Sequence, residues 1–385
     1  MNQPLADRLK EAREQMGLSQ QAVAEKVGVT SEYVSMVEAG RRVPSLSVLE
    51  KFAQVFNRGV GFLLSEEKPV FTMLLRAEHV GEEERKVLGR FEQFCRDYSE
   101  IERFAEGAPA LAPTYDPPSS FQVKTAKGRE RYAVALAEAE RKRLGLGDEP
   151  IKDIFLLLEQ QGAHPIRLPL GDESKIAGAF IFSPDLGAFT LVNASHRRTR
   201  QVFTAAHEYC HYLKDRQEGL TLDSTDQVSG LPDGERPPKE VIANIFAANF
   251  LMPASALSRV LAKTDHIGPE EIIYLKGYFG VSHQAMVYRL MSLEWVKRDQ
   301  GQSLLEMKSE ELEERFMKTA PETDEPVQRI PAQYFKLAVH AYSQDHISLG
   351  RLAELLETTP PELRRLLAHA GLLAGKGEGR GKEPH

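Results

Sequence analysis

The chain has 385 residues, of which 42% are hydrophobic and 27% are charged, and its formal net charge is −7. This length corresponds to two or three domains of about 100 to 200 residues each, and this composition excludes a collagen-like or a wholly disordered chain. The negative charge argues against a uniformly basic surface but is compatible with a small DNA-binding domain, because phosphate contacts are local.

Cysteine content and hydropathy indicate the compartment. Cysteine occurs only at Cys95 and Cys210, which excludes a disulfide framework and favours a reducing environment. We identify no run of about 18 apolar residues, the length of a membrane-spanning helix, and residues 1–13 lack the apolar region of a signal peptide. We therefore expect a cytoplasmic protein without a membrane partner.

The first 56 residues are predicted to form four short helices. Ser19, Thr30 and Ser45 are favourable N-caps for the last three of them. Gly17 and Gly28 favour left-handed helix ends. The turn between the second and third helices is very short, which is typical of a helix-turn-helix. The helices are predicted over residues 5–16, 20–27, 31–39 and 46–56.

The stretch GLSQQAVAEKVGVTSEYVSMVEAGRRVPSLSVLEKFA, residues 17–53, resembles the XRE-type (Cro/lambda-repressor-like) helix-turn-helix family. The resemblance implies a five-helix DNA-binding domain, which in this family often dimerises on palindromic sites. Arg41 and Arg42, after the third helix, are placed for phosphate contacts. By resemblance, the residues that face DNA are Gln20, Ser31, Glu32, Tyr33 and Ser35. Residues 1–58 carry 8 basic and 7 acidic side chains, so recognition of a protein is the alternative.

The middle of the chain changes from helix to a mixed pattern. Apolar residues recur at helical spacing between Val87 and Ala105, which predicts one amphipathic helix. Residues 107–120 contain four prolines and are predicted to be a linker. The next elements are predicted to be helices at 132–144 and 151–161 and strands at 164–168, 179–183 and 188–193.

The segment AAHEYCHYL, residues 205–213, carries the strongest chemical signal. His207 and His211 lie one turn apart on one helix face, so both imidazoles can bind a single tetrahedral Zn²⁺. Glu208 is placed to reach a metal-bound water, as in the H-E-x-x-H arrangement of metallopeptidases. Cys210 is a competing soft ligand, although packing as a small apolar residue is the favoured interpretation.

A catalytic zinc needs a third protein ligand and an open position. Residues 216–239 form a polar loop in this interpretation, and an apolar helix begins at Lys239. Glu240, at the start of this helix, is positioned to complete a His–His–Glu set. Asn244 lies one turn later and could orient a ligand.

Two segments resemble the ImmA/IrrE family of metallopeptidases. The first is VNASHRRTRQVFTAAHE, which begins at Val192, and the second is E-x-x-A-N-x-F-A-x-x-x-L-M-P, which begins at Glu240. The resemblance covers about residues 125–262. It implies a minimal zincin-like domain with a small sheet, with zinc bound by His207, His211 and Glu240, and with Glu208 as the general base. Mn²⁺ could replace zinc at such a site.

Two positions depart from the pattern of this family. A bulky Tyr209 precedes Cys210 where small residues are usual, and Asp215 stands where a histidine is common. Neither departure removes a metal ligand.

The candidates for an oxyanion donor are His196, His266 and Tyr274. The remaining histidines are interpreted as ordinary surface or helix positions.

We therefore expect an α+β fold, mostly α, with a five-helix XRE-type domain, a zincin-like peptidase domain and a C-terminal helical bundle. Residues 301–329 carry 8 acidic and 4 basic side chains, which favours a solvated hinge or a frayed helix. Residues 331–369 favour paired helices, either a packing or dimerisation bundle or a second DNA- or ligand-responsive module. The predicted boundaries are 1–65 (XRE-type domain), 66–124 (connecting helix and linker), 125–298 (peptidase domain and trailing bundle), 299–330 (acidic linker), 331–373 (helical module) and 374–385 (disordered tail).

Three functions are compatible with these features. The first is a zinc endopeptidase that cleaves an XRE-type repressor and thereby induces a DNA-damage or mobile-element response, as members of the resembled family do, with single-stranded DNA as a candidate activator. The second is a transcription regulator whose peptidase-like domain senses a ligand without cleaving anything. The third is a binding partner of the toxin–antitoxin type. The intact set of His207, Glu208, His211 and Glu240 favours the first function.

Overall fold

The structure is a computed structural model that describes residues 3–15, 18–56, 60, 63, 81–105, 111–183, 186–216, 220–224, 237–262, 264, 266–307, 311 and 330–369. The chain divides into two compact units, Met1–Gln93 and Phe94–His385. The described residues are mostly helical with one small sheet, so the predicted α+β class is confirmed.

Four helices of the first unit enclose a small apolar core. They are α1 (Gln3–Gln15), α2 (Gln20–Val27), α3 (Ser31–Glu38) and α4 (Leu46–Val55). The hydroxyls of Ser19 and Thr30 accept hydrogen bonds from backbone N–H groups in the first turns of α2 and α3, as predicted. Gly28 ends α2 with a φ of 76°, a conformation that glycine adopts without strain. Ser45 precedes α4 without a capping side-chain bond. Gly17 and, near the end of the predicted domain, residues 57–59, 61, 62, 64 and 65 lie outside the described residues.

The helices that follow the first four are α5 (Glu82–Glu102), α6 (Ala126–Arg143), α7 (Ile154–Gln160), α8 (Arg198–Lys214), α9 (Pro238–Leu251), α10 (Ala254–Val260), α11 (Pro269–Phe279), α12 (His283–Ser292), α13 (Arg298–Leu305), α14 (Ala332–Ser343), α15 (Leu349–Leu355) and α16 (Pro360–His369). The strands are β1 (Ala163–Leu168), β2 (Ile176–Ser183), β3 (Gly187–Asn193) and β4 (Leu220–Ser224).

The four strands form one sheet in the order β1-β3-β2-β4. β1 runs parallel to β3, whereas β2 is antiparallel to both of its neighbours. Helix α8 packs on β2 and β3, and α9 packs between α8 and α6. Apolar residues from β1, β2, β3, α6, α8 and α9 belong to one core, which positions α8 and α9 side by side.

Strand β4 lies in the segment that the sequence analysis assigned to a polar loop. The segment LTLDS is only five residues long and contains two leucines, so it lacks the apolar run that marks the other strands. It is a strand because its backbone pairs with β2 from Ile176 to Ile181. The prediction of an entirely irregular loop after α8 is therefore wrong over residues 220–224.

The opposite face of the sheet is covered by α5, and α14 packs on α5. The ring of Tyr98 in α5 lies 4.2 Å from His164 of β1 and 5.8 Å from Phe189 of β3, measured between centroids. Tyr334 of α14 packs on Tyr98 at 5.3 Å. Arg351 of α15 also forms ion pairs with carboxylates of α5. The helices of residues 332–369 therefore pack against the sheet unit, as the packing-bundle interpretation expects.

The described part of the proline-rich segment, residues 111–120, packs against the end of α8 and is not a loose linker. Its backbone is irregular as expected, but Ala112 is buried and donates its N–H to the Tyr212 hydroxyl at 2.8 Å. Arg216 donates to the carbonyl of Ala112 at 2.7 Å, and the N–H of Tyr115 donates to Leu213 O at 2.8 Å. Prolines prevent a helix here, but groups at the end of α8 form hydrogen bonds with the backbone N–H and C=O groups of this segment.

The start of the acidic segment also differs from expectation, because it folds as α13. The Nε2–H of His283 donates to Leu304 O at 2.8 Å. Gly301 lies so close to Met291 that an added Cβ would be 2.3 Å from its sulfur. The segment is thus packed up to Leu305, whereas residues 312–329 and the predicted tail, residues 374–385, lie outside the described residues.

One segment of the described chain, Pro238–Val260, is long and apolar enough to cross a membrane by composition, with a mean hydropathy of 1.5. The sequence analysis did not single it out, because Asn244, Asn249 and Arg259 interrupt its apolar residues. The segment consists of α9 and α10, separated at Met252 and Pro253, and 61% of its apolar window is buried in the protein. It is therefore accounted for as core helices.

Candidate metal centre

Three side chains of α8 and α9 converge in the core. The Oε2 atom of Glu240 lies 3.0 Å from His207 Nε2 and 3.4 Å from His211 Nε2, and the two Nε2 atoms are 3.2 Å apart. Tetrahedral zinc at about 2.0–2.2 Å from each ligand requires ligand atoms about 3.3–3.6 Å apart. The three atoms therefore form a triangle close to the size that one Zn²⁺ needs.

Each imidazole is oriented through its second nitrogen. His207 Nδ1–H donates to Asn244 Oδ1 at 2.9 Å, and His211 Nδ1–H donates to Asp215 Oδ2 at 2.7 Å. These bonds leave Nε2 as the nitrogen that points to the shared position, as is usual for metal-binding histidines. Asn244 lies where the sequence analysis expected it. Asp215 was noted only as a departure from the family pattern, although its i+4 spacing from His211 could have revealed it.

The electrostatics of the three side chains suit a cation. Burial by itself would raise the pKa of Glu240, but hydrogen bonds from His207 and His211 outweigh it and hold this pKa far below its ordinary value. Burial would lower the pKa of His211, yet bonds with Asp215 and Glu240 raise it. The carboxylates of Glu240 and Asp215, whose pKa values are both lowered, are thus ionised beside the imidazoles.

Glu208 is fully buried and lies on the side of α8 that faces the sheet. Thr204, Glu208 and Tyr212 follow one another at intervals of four residues, so they share a stripe of this helix. The Glu208 carboxylate lies against Gly178 of β2, and the ring of Tyr212 is 5.9 Å from Phe180 of the same strand. The Glu208 carboxylate thus lies in the interface between the sheet and α8, the helix that also carries both histidines.

The predicted DNA-facing residues surround α3 in the first unit. Glu32, Ser35, Arg41 and Arg42 are exposed, and Ser31, Tyr33 and Gln20 are half-buried. The guanidinium of Arg42 stacks over the Tyr33 ring at 4.7 Å.

Gln20 is also engaged within the domain. It donates to Glu38 Oε2 at 2.9 Å, and Arg13 donates to both oxygens of this carboxylate at 2.7 and 3.0 Å. Gln20 therefore joins the start of α2 to the end of α3.

Two family models match the chain. A helix-turn-helix model matches residues 9–63, and the model of a peptidase family, described as an IrrE N-terminal-like domain, matches residues 159–291. The chain therefore contains a helix-turn-helix domain and an IrrE N-terminal-like domain, each over the residues matched. Both resemblances inferred from the sequence are confirmed.

Similar proteins match only a short stretch. The HTH-type transcriptional regulator PuuR of Escherichia coli is 40% identical over 63 residues, which are 16% of this chain and 34% of that protein. An uncharacterized HTH-type transcriptional regulator of Archaeoglobus fulgidus is 36% identical over 63 residues, 16% of this chain and 90% of the relative. This chain therefore spans about a third of the PuuR regulator.

A crystal structure of Bacillus thuringiensis PlcR in complex with the peptide PapR7 and DNA was also matched. The match covers 96% of this chain and 93% of that chain at 13% identity, with a TM-score of 0.17. This score is too low for any argument about the fold of the present chain.

The IrrE N-terminal-like domain buries both residues of α8 that depart from the family pattern, Tyr209 and Cys210. Tyr209 is fully buried and donates its hydroxyl to Glu140 Oε1 of α6 at 2.6 Å. Cys210 is fully buried in the core, and burial raises the pKa of its thiol well above the ordinary value. Among the described residues, the group able to share one metal consists of His207, His211 and Glu240.

The candidate oxyanion donors of this domain lie in different places. Tyr274 is 56% exposed and stacks on Tyr278 of the same helix. His266 is exposed in the turn before α11. His196 is buried before α8, and burial together with Arg200 lowers the pKa of its imidazole to about 4. A neutral His196 is thus expected near pH 7.

Proposed function

We propose that this protein is a cytoplasmic metalloendopeptidase with a DNA-binding head, and that it cleaves an XRE-type transcriptional repressor to induce a stress response. The observation that supports the peptidase most directly is the triangle of His207, His211 and Glu240 with Glu208 on the adjacent helix position. Two imidazoles and one carboxylate are the donor set of many catalytic zinc sites, and they also accept Mn²⁺.

In this proposal the metal ligands, the general base and the residues that orient the imidazoles have separate roles. A metal ion held by His207, His211 and Glu240 would supply Lewis acidity toward a peptide carbonyl and toward a water molecule. Glu208 would take a proton from the attacking water on a carboxylate oxygen and return it to the leaving amine. Asn244 and Asp215 would hold the two imidazole rings in the orientation that directs Nε2 inward.

In this proposal the helix-turn-helix domain brings the peptidase to DNA. The exposed side chains of α3 would face base edges, while Arg41 and Arg42 would contact phosphates. A repressor bound at the same site would then be held close to the peptidase domain. We further propose residues 1–65 as the DNA-binding domain, dimerisation on palindromic sites, and single-stranded DNA as an activator.

A regulator that senses a ligand without cleaving a protein is the second candidate. The relatives matched over 63 residues are described as HTH-type transcriptional regulators, which favours a role in transcription whatever the peptidase domain does.

The deciding experiment offers purified repressors of the XRE type from the same genome to the protein, with Zn²⁺ or Mn²⁺ and with or without single-stranded DNA. Mass spectrometry identifies new cuts. We expect one cut that disappears in Glu208→Gln, which should retain metal, and in Glu240→Ala, which should lose it. A cut that persists in Glu208→Gln would contradict the assigned base, and metal-loaded protein that cuts none of the repressors would favour the sensor.

DNA binding is tested separately by replacing Arg41 and Arg42 with Ala. Loss of two phosphate contacts should weaken binding and reduce the slope of log K against log salt by about 1.8. The matched control replaces the exposed Lys124 and Lys127, outside the helix-turn-helix, and changes the charge equally. Equal salt slopes for both double variants would indicate a protein-docking head instead.

A further inference from the structure

A glycine in the sheet is in direct contact with the proposed general base. Gly178 lies in β2, opposite Val192 of β3. An ideal Cβ built on Gly178 would lie 2.6 Å from Thr204 Cγ2, 2.8 Å from Glu208 Oε1 and 3.0 Å from the backbone oxygen of Leu191. Separations under 3.0 Å are almost never found for real Cβ atoms, so the space above Gly178 is already filled.

A left-handed backbone conformation does not explain the glycine. Gly178 is absent from the glycines with positive φ, so an L-residue could adopt its conformation. Glycine inside a strand loses conformational entropy and contributes no side-chain packing, and it usually marks a bulge or a close approach. Both occur here, because the pairing of β2 with β4 shifts register between Ile176 and Gly178.

The contact joins two parts of the site that the sequence separates by 30 residues. Thr204 and Glu208 are one turn apart on α8 and both are fully buried. They reach the sheet at the same point, so the position of the Glu208 carboxylate depends on what β2 presents there. His207 and His211 lie on the neighbouring stripe of α8, toward Glu240 of α9.

We propose that Gly178 is a positioning residue of the candidate active site, because its missing side chain provides the space in which the Glu208 carboxylate is held. This inference depends on the proposed role of Glu208 as general base. Gly178 itself touches neither substrate nor metal. Its effect on the reaction passes entirely through Glu208, while the three metal ligands are held by other contacts.

The test compares Gly178→Ala with Gly350→Ala. A Cβ on Gly350 in α15 would meet its nearest neighbour, Ser348 Oγ, at 3.7 Å, which is an ordinary contact. Displacement of a catalytic group by about 1 Å costs about 100-fold in rate. We expect Gly178→Ala to lower kcat by about that factor, with KM and zinc affinity unchanged, and Gly350→Ala to leave all three unchanged. Full kcat, or a loss of zinc affinity in Gly178→Ala, would overturn the proposal.

A double variant separates the two close contacts. Thr204→Ser removes the Cγ2 atom but leaves the contact with Glu208 in place. Gly178→Ala combined with Thr204→Ser should therefore remain slow. Recovery of kcat in this double variant would show that Gly178 controls only the spacing between the sheet and α8, and it would overturn the positioning role.

A structural readout makes the proposal independent of activity. In crystal structures of wild type and Gly178→Ala, Glu208 Oε1 should move away from β2 while the atoms of His207, His211 and Glu240 stay in place. An unmoved Glu208 would overturn the proposal. If wild type cleaves no protein, the proposed function fails, and this displacement then decides only whether Gly178 sets the position of the Glu208 carboxylate.

A suppressor covers the case in which Gly178→Ala does not fold. Glu208→Asp shortens the side chain by one methylene and withdraws the carboxylate from β2. In the Gly178→Ala background it should restore soluble, zinc-binding protein better than Thr204→Ser does. Equal or better rescue by Thr204→Ser would assign the damage to helix packing and contradict the proposal.

Discussion

The two imidazoles of the candidate metal centre have different partners. A neutral amide oxygen, from Asn244, holds His207, whereas a carboxylate, from Asp215, holds His211. Asp215 is also paired with Lys214. A carboxylate partner makes an imidazole a more basic ligand as well as orienting it. Asp215 should therefore contribute more to metal affinity than Asn244 does.

We expect Asp215→Ala to weaken zinc binding by about 10- to 100-fold, the range typical of partners that orient metal ligands. Asn244→Ala should have a smaller effect. Competition with a chromophoric chelator measures both affinities. The control is Asp299→Ala, which removes an exposed carboxylate from α13. A larger loss for Asn244→Ala than for Asp215→Ala would contradict the ranking.

Local spacing made part of the site predictable. His207, Glu208 and His211 are read from one helical turn, and Glu240 follows from the apolar helix that it begins. Gly178 could not be found in this way, because its role depends on how closely β2 approaches α8. Asp215 has a readable spacing, but its identity differs from the residue expected there.

At the scale of elements, the sequence predicts best where the chain carries its own start and stop signals. Ser19 and Thr30 cap the helices expected after them, and Asp153 shortens the helix predicted at 151–161 by capping it at Ile154. Strand β4 and the proline-rich segment at residues 111–120 carry no such signals. They are ordered by hydrogen bonds to distant parts of the chain, which a local pattern does not contain.

Helix α7 contains a buried acid that should make stability depend on pH. Burial, followed by the charge of Asp153, raises the pKa of Glu159 from an ordinary 4.5 to about 7, and Lys336 opposes the shift. A raised pKa in the folded state means that the folded protein binds this proton more tightly than the unfolded chain. The contribution is present in full below about 4.5 and is lost as pH rises through about 7.

Glu159→Gln should therefore be more stable than wild type at pH 8, by on the order of 2 kcal/mol, and should have no advantage at pH 4. Urea unfolding followed by the fluorescence of Trp295 across this pH range provides the measurement. Glu138→Gln, which removes an exposed carboxylate from α6, is the control. Parallel stability curves for Glu159→Gln and wild type would contradict the raised pKa.

At the scale of the whole molecule, the sheet of the second unit is covered on both faces. Helix α8 lies on one face with the metal ligands, and Tyr98 of α5 lies on the other, where Tyr334 packs on Tyr98. Residues 332–369 were open to several interpretations from sequence, because paired amphipathic helices suit packing, dimerisation and ligand binding alike. Their buried aromatic contacts show that they complete the core behind the sheet.

These contacts predict that the C-terminal helices and the metal site unfold together. Tyr334 is 1% exposed, and its ring lies 4.4 Å from Phe94 and 5.3 Å from Tyr98. Truncating a large buried aromatic side chain costs about 3–5 kcal/mol. A ligand of the folded state stabilises the unit that binds it, so added Zn²⁺ should raise the midpoint temperature of one thermal transition. Tyr334→Ala should lower the midpoint temperature of that same transition.

Phe52→Ala provides the matched comparison, because Phe52 is equally buried in the core of the first unit. It should shift a transition that does not respond to Zn²⁺, since Met1–Gln93 and Phe94–His385 are separate compact units. Differential scanning calorimetry of the full chain, with and without metal, distinguishes the transitions. If Tyr334→Ala and Zn²⁺ acted on different transitions, the C-terminal helices would not belong to the cooperative unit that holds the metal ligands.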